Sequence, residues 1–302
     1  MQQDDRAGIL LALAGFTLLS MGDAVIKTMA GQWSPLAVAA LRFVLGAIGL
    51  SALLLVREGA AGFKPRNPWL QAARGLCLAG ATTFFFAAIF VMPLAEAMAL
   101  AFVSPVLVTV FGVVLLGERA RPAVWVALAV ALGGVALVLR PNLAVLGWTA
   151  LLPLISALFF SLMIIANRAS AGQGSALSMQ AFVAIVAAPV LVTLALLGDR
   201  SGEPLLAAGW PDWSVAARCA LVAGTASTAH WLVYRGTMRA GASTIAPTTY
   251  VQMLVATALG WWWFGDVPDL ATMAGATIIV AAGLYLWWTT PPSQPATVVE
   301  LD

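Results

Sequence analysis

Charge is scarce in this chain of 302 residues: Asp, Glu, Lys and Arg together make up 9% of it, whereas 62% of the residues are hydrophobic. With a mean hydropathy of +0.95, this composition excludes a water-soluble domain, whose surface needs far more charge. The formal net charge is only +2 and the basic residues are dispersed. No basic stripe exists that could neutralise a phosphate backbone, so nucleic acid is excluded as a partner. His230 is the one histidine, which rules out a His-Glu-x-x-His zinc site, and there is no Gly-x-Ser-x-Gly elbow, aspartate-rich prenyltransferase motif or ATP-binding loop. Lys27 and Lys64 are the only lysines, one near a span end and one in a loop, which leaves none deeply placed for a retinal. The two cysteines, Cys77 and Cys219, fall inside apolar runs and read as packing hydrophobes rather than a disulfide or metal site. This inventory implies no cofactor and no metal, and it argues against an intramembrane enzyme, the rival class.

What the chain has is length in apolar runs. Runs of about 20 residues, enough to cross a hydrocarbon core, are separated by short polar or Gly/Pro-rich turns. They are predicted at 8–29, 35–56, 70–91, 95–116, 123–139, 147–167, 177–197, 214–235, 242–264 and 271–290. The expected fold is therefore an all-α polytopic membrane protein of ten transmembrane helices. The first run lacks a small-residue cleavage site and carries Asp23 and Lys27, so it reads as a retained helix. Residues 291–302 are polar and read as a disordered cytoplasmic tail. Most Lys and Arg residues, among them Arg57, Lys64, Arg66, Arg74, Arg119, Arg121, Arg168, Arg235 and Arg239, collect on one side when the N-terminus is inside. Basic loops stay cytoplasmic, so both termini are expected there. Eleven of the twelve tryptophans fall near predicted membrane interfaces, and Trp231 is the one less plainly placed.

The chain also repeats itself. Ala72-Ala73-Arg74-Gly75-Leu76-Cys77-Leu78-Ala79-Gly80 resembles Ala216-Ala217-Arg218-Cys219-Ala220-Leu221-Val222-Ala223-Gly224. At a slightly larger offset Thr109, Gly112, Gly117 and Glu118 match Thr257, Gly260, Gly265 and Asp266, and more weakly Ser20 and Lys27 match Ser161 and Arg168. Five helices per half force the second half upside down, so the expected units are two inverted repeats, 1–143 and 144–290. Such a pseudo-twofold axis places the substrate near the bilayer midplane, between the halves.

Met21-Gly22-Asp23-Ala24-Val25-Ile26-Lys27, Leu41-Arg42-Phe43, the run from Ala95 to Gly117-Glu118-Arg119 and Gly133-Gly134 resemble the EamA group of the drug/metabolite transporter superfamily, over nearly the whole chain. A weaker second copy ends at Gly265-Asp266 and Gly283. Two positions depart from the family pattern: Met21 stands for a tryptophan and Asp266 for a glutamate. The resemblance implies a ten-helix carrier with a central cavity lined by spans 1, 3, 4, 6, 8 and 9 and opened alternately to each side. Within the family, exporters of the aromatic-amino-acid type are the first comparison.

Helical spacing nominates the cavity residues, since positions three or four apart share a face. Ser227, His230, Trp231 and Tyr234 form a stripe on the eighth span, Phe86 and Phe90 on the third, Met98 and Phe102 on the fourth, and Thr249, Tyr250 and Met253 on the ninth. Each mixes apolar area with hydroxyls, as a small-molecule pocket does; ordinary helix contacts use the same residue types. A second candidate group is a charge cluster. Asp23 and Arg42 stand equally far from the turn at Gln32 and Trp33, and Lys27 follows Asp23 by one turn. The cluster is either a buried ion pair with Lys27 reaching outward or a site for substrate or coupling. The resulting expectation is a secondary transporter of the cell inner membrane, monomeric, moving small organic metabolites by alternating access. Amino acid export leads; uptake of another metabolite, such as S-adenosylmethionine, riboflavin or a nucleotide-like solute, is the alternative.

Overall fold

The computed structural model describes residues 3–117, 122–170, 173–240 and 245–289, so the expected tail and the acid Glu118 lie outside the described residues. The described residues form eleven α-helices and no strand: α1 Gln3–Lys27, α2 Pro35–Glu58, α3 Pro68–Val91, α4 Leu94–Ala101, α5 Ser104–Leu116, α6 Pro122–Leu146, α7 Leu152–Ala169, α8 Ala176–Arg200, α9 Trp213–Ala240, α10 Val251–Phe264 and α11 Leu270–Thr289. Local signals set the ends. Proline opens α2 and α3, where its missing N–H costs nothing. The Asn67 side chain accepts from the Leu70 amide at 3.1 Å, and Ser175 accepts from Ser178 at 3.0 Å. Gly117 and Gly265 end α5 and α10 in the left-handed region, with φ of 67° and 69°.

Seven segments are both long and apolar enough to cross a membrane: 6–27, 35–63, 68–91, 94–115, 143–169, 176–200 and 270–289. The sequence predicts ten, and the three others fall short for separate reasons. The apolar stretch Trp125–Arg140 within α6 is short. Helix α9 is long, but Arg218, Arg235, Arg239, His230 and its hydroxyls lower its hydropathy. The ninth predicted span is divided into a 3-10 turn, Ala246–Tyr250, and the 14-residue α10. The fourth span is likewise split at Phe102 and Val103, just before Pro105, because proline withdraws one backbone donor and its ring crowds the preceding turn. Pro153 sits in the first turn of α7, and Pro189 lies inside an unbroken α8.

Packing follows a twofold pattern. Helix α1 runs along α9 and α3 along α7, while α2 pairs with α8 and α6 with α11. Exchanging the two halves swaps the first two pairs and leaves the other two in place. Small residues permit the approach: a Cβ on Gly275 of α11 would lie 2.6 Å from the Gly134 carbonyl of α6, and one on Gly236 of α9 would lie 2.6 Å from the Gly8 carbonyl of α1. Hydrogen bonds repeat the pattern. The Ser20 hydroxyl donates to the Gln252 carbonyl at 2.9 Å and the Ser161 hydroxyl to the Ser104 carbonyl at 3.1 Å, so each first helix satisfies a carbonyl where the other half's fourth span is interrupted. Arg74 on α3 donates to Asn167 of α7, and Arg218 on α9 donates to Thr28 and Gln32 beyond α1. The buried core joins Ile26, Met29, Val38, Phe43, Phe86, Ile89, Met98, Leu100, Leu191, Cys219 and Ile279 from most of the helices. Trp69, Trp148, Trp210, Trp213, Trp262 and Trp288 are largely exposed, which suits rings seated at a membrane boundary.

Candidate functional site

A small cleft with room for about 20 Å³ lies at the meeting of α1, α2 and α9. Its walls are Leu18, Leu19, Gly22 and Asp23 from α1, Arg42 from α2, and Val222 and Ala226 from α9. The hairpin geometry read from the sequence brings Asp23 and Arg42 to this one cleft. The Arg42 guanidinium carbon lies 4.9 Å from the centre of the Phe43 ring and 5.5 Å from that of Phe86, distances at which a cation is attracted to the π face. The same charge is close enough to act on Asp23, Cys219 and His230.

Lys27 leaves the expected cluster. Its ammonium lies 2.7 Å from Asp266 Oδ2, donates to the Met92 carbonyl at 3.0 Å, and sits 5.0 Å from the centre of the Phe264 ring. This is the one ion pair within 4.0 Å among the described residues, so neither Lys27 nor Arg42 is salt-bridged to Asp23. The reason is the ending of α10: the Gly265 amide bonds to the Trp261 carbonyl and the Asp266 amide to the Gly260 carbonyl. That double bond places Asp266 immediately past the glycine, beside the ends of α1 and α3. Lys27, 239 residues away, carries no local sign that it is the partner of Asp266.

The aromatic candidates divide. Phe86, Met98 and Phe102 are buried in the central core, and Phe90, Tyr250 and Met253 pack against it. The Phe102 and Tyr250 rings are 5.4 Å apart and tilted, joining the interruptions of the fourth and ninth predicted spans. Thr249 accepts from the Gln252 side chain at 3.0 Å. On α9, Ser227 donates to the Ala223 carbonyl at 2.9 Å, while His230, Trp231 and Tyr234 are exposed. Trp231 lies under Arg235 at 5.3 Å, on a face with the exposed Leu221, Gly224 and Thr228. The structure thus brings six of the eleven pocket candidates together around the central core, keeps His230 within range of the Arg42 charge and leaves Trp231 on the exposed face of α9.

Among the described residues no group of three or more His, Cys, Asp and Glu is placed to hold a metal ion. Near the Lys27 end, a second, more open cleft is lined by Val91, Pro93, Glu96, Val145, Leu146, Val267 and Asp269. There Asp269 accepts from the Thr272 amide at 2.7 Å, and these hydrogen bonds hold its carboxyl below the usual carboxylate range.

Comparison with known proteins places this geometry. A pseudopaline exporter of Pseudomonas aeruginosa is 29% identical over 93% of the chain and 96% of its own length. A riboflavin transporter of Rhizobium johnstonii is 27% identical over 77% of the chain and 74% of its own length. An aromatic amino acid exporter of Ancylobacter novellus is 35% identical, over 37% of the chain and 39% of its own length. A solved structure with 22% identity superposes with a TM-score of 0.64 over 93% of the chain and 96% of its own, a likeness of fold. The family model described as the EamA-like transporter family matches twice, over residues 6–140 and 147–288. With that match along both stretches and relatives that are transporters, the chain belongs to the EamA-like transporter family and is a multi-pass membrane carrier of a small molecule, not an enzyme.

Proposed function

We propose that the chain is a secondary transporter of the inner membrane that exports amino acids by alternating access. In this reading residues 1–143 and 144–290 are inverted five-helix repeats, the chain crosses the membrane ten times with both termini cytoplasmic, and it works as a monomer. The observation that carries the substrate reading is the cleft itself: Asp23 and Arg42 face one space walled by α1 and α2 of the first half and α9 of the second. Beside it lie the rings of Phe43 and Phe86. Phe86, Phe90, Met98, Phe102, Tyr250 and Met253 then shape the space for the side chain. The swapped pairs α1 with α9 and α3 with α7 support alternating access, because each half offers the other an equivalent surface to rock against.

The names of the Pseudomonas and Ancylobacter relatives support export. The name of the Rhizobium relative supports a different solute, riboflavin; a ring system without opposed charges makes no use of a carboxylate and a guanidinium in one cleft. Counterflow in proteoliposomes separates the two. Labelled neutral amino acids are expected to exchange, with riboflavin failing to compete. Exchange of riboflavin or S-adenosylmethionine without any amino acid would refute the reading.

A further inference from the structure

We propose that Asp23 and Arg42 are the two poles of a receptor for a zwitterionic head group, Asp23 taking the ammonium and Arg42 the carboxylate; this rests on the amino acid reading above. Two charges held within spans are normally explained by each other. Asp23 and Arg42 do act on each other across the cleft, but among the described residues no salt bridge within 4.0 Å and no hydrogen bond joins them, and the one such ion pair is Lys27 with Asp266. Both nevertheless line the same cleft. Arg42 lies over the rings of Phe43 and Phe86, contacts that hold the cation without using its N–H donors, which stay available to a planar acceptor such as a carboxylate. Asp23, acceptor-only when ionised, suits an ammonium. As it stands the cleft has room for about 20 Å³, the size of a water, so a head group enters as the halves open around it, its side chain extending toward the neighbouring aromatic core.

The arrangement also sets selectivity. A zwitterion satisfies both poles and adds no net charge to the low-dielectric interior. An amine alone leaves Arg42 unpaired, and an acid alone leaves Asp23 unpaired, each a buried charge without a partner.

The test uses the full chain in proteoliposomes and whichever of L-phenylalanine, L-leucine and L-methionine gives the fastest counterflow. Its decarboxylated amine and its deaminated acid serve as competitors. The wild type is expected to bind the amino acid at least about tenfold better than either analogue, because a site built for a polar partner rejects a ligand lacking it. Arg42→Gln should erase the advantage over the amine and Asp23→Asn the advantage over the acid. The double variant carries no unpaired charge and keeps folding separate from recognition: it should melt like the wild type and discriminate against neither analogue. Wild-type ratios retained in the single variants, or an equal rise in KM for all three ligands, overturn the two-pole site while leaving the transporter reading intact. Loss of pH dependence alone in Asp23→Asn, with zwitterion preference unchanged, overturns it as well. No counterflow of any of the three amino acids in the wild type removes the amino acid reading and the two-pole site together.

Discussion

Replacing Asp266 with Asn tests how much the helix ends near Lys27 depend on one ion pair. The substitution keeps the side-chain shape and the backbone bonds of the Gly265 turn but removes the charge facing Lys27 Nζ at 2.7 Å. Relative exposures of 12% for Lys27 and 22% for Asp266 put the pair between two regimes. Exposed pairs contribute roughly 0.2 to 1 kcal/mol, and breaking a buried pair costs about 3 to 5 kcal/mol. The ammonium of Lys27 keeps the Met92 carbonyl and the Phe264 ring, so it is not stranded, and the loss should sit near hydrogen bonds to charged groups, about 1.5 to 3 kcal/mol. A double-mutant cycle with Lys27→Met, read by reversible unfolding in detergent, isolates the pair. The expected coupling is about 1 to 2 kcal/mol, discounted for the solvent that reaches Asp266. A coupling under about 0.3 kcal/mol, within the error of additivity for independent sites, would show that the contact is incidental.

Gly275→Ala should destabilise by about 1 to 3 kcal/mol, since the new methyl meets the Gly134 carbonyl across the α6–α11 contact. Gly133→Ala, which meets nothing within 4 Å, should be neutral; equal thermal melts for the two variants would contradict the packing. At Gly283 a Cβ collides with the Tyr250 hydroxyl. Gly283→Ala should therefore impair both stability and flux, and adding Tyr250→Phe should restore part of each; no rescue would place the clash elsewhere. Asp269 has a lowered folded-state pKa, so its contribution is present above the unfolded value and is lost as pH falls through the folded one. The protection of the Thr272 amide, its exchange relative to an unstructured peptide at the same pH, should fall on acidification in the wild type and be low at all pH values in Asp269→Ala. A pH-independent wild-type protection would remove that carboxylate from the cap.

The repeat was legible because it reports on backbone and small-residue positions that must recur. Gly112, Gly117, Gly260 and Gly265 read as matched glycines; Gly117 and Gly265 end α5 and α10 in the same left-handed geometry, and Gly112 and Gly260 each supply a carbonyl to that cap. Ser20 and Ser161 read as a weak match, and each donates to a carbonyl at the other half's interrupted span. The meeting of Asp23 and Arg42 was legible because a hairpin fixes depth by counting from its turn. What escaped sequence reading was long-range choice. Lys27 had Asp23 one turn away, yet the helix puts that carboxylate into the cleft while the Gly265 turn delivers Asp266 from the far end of the chain. The outward position of Trp231 escaped for a related reason: spacing along α9 shows which residues share a face, but not which face meets α1. Pro105 and Pro247 mark the interrupted spans in the sequence, because a proline within an apolar run kinks or opens its helix.

The crosswise docking of first and third helices also decides what each half can be alone. Helix α1 rests on α9 and α7 rests on α3, and Arg218 and Arg74 each clasp the end of a helix from the opposite half. Cutting the chain between α6 and α7 would therefore yield two fragments, each with its own loops intact but with its lead helix lacking the surface it packs on. Such fragments behave like subunits of an obligate heterodimer, stable only in each other's company. Produced together they should reassemble into a working carrier; produced singly, each should be degraded.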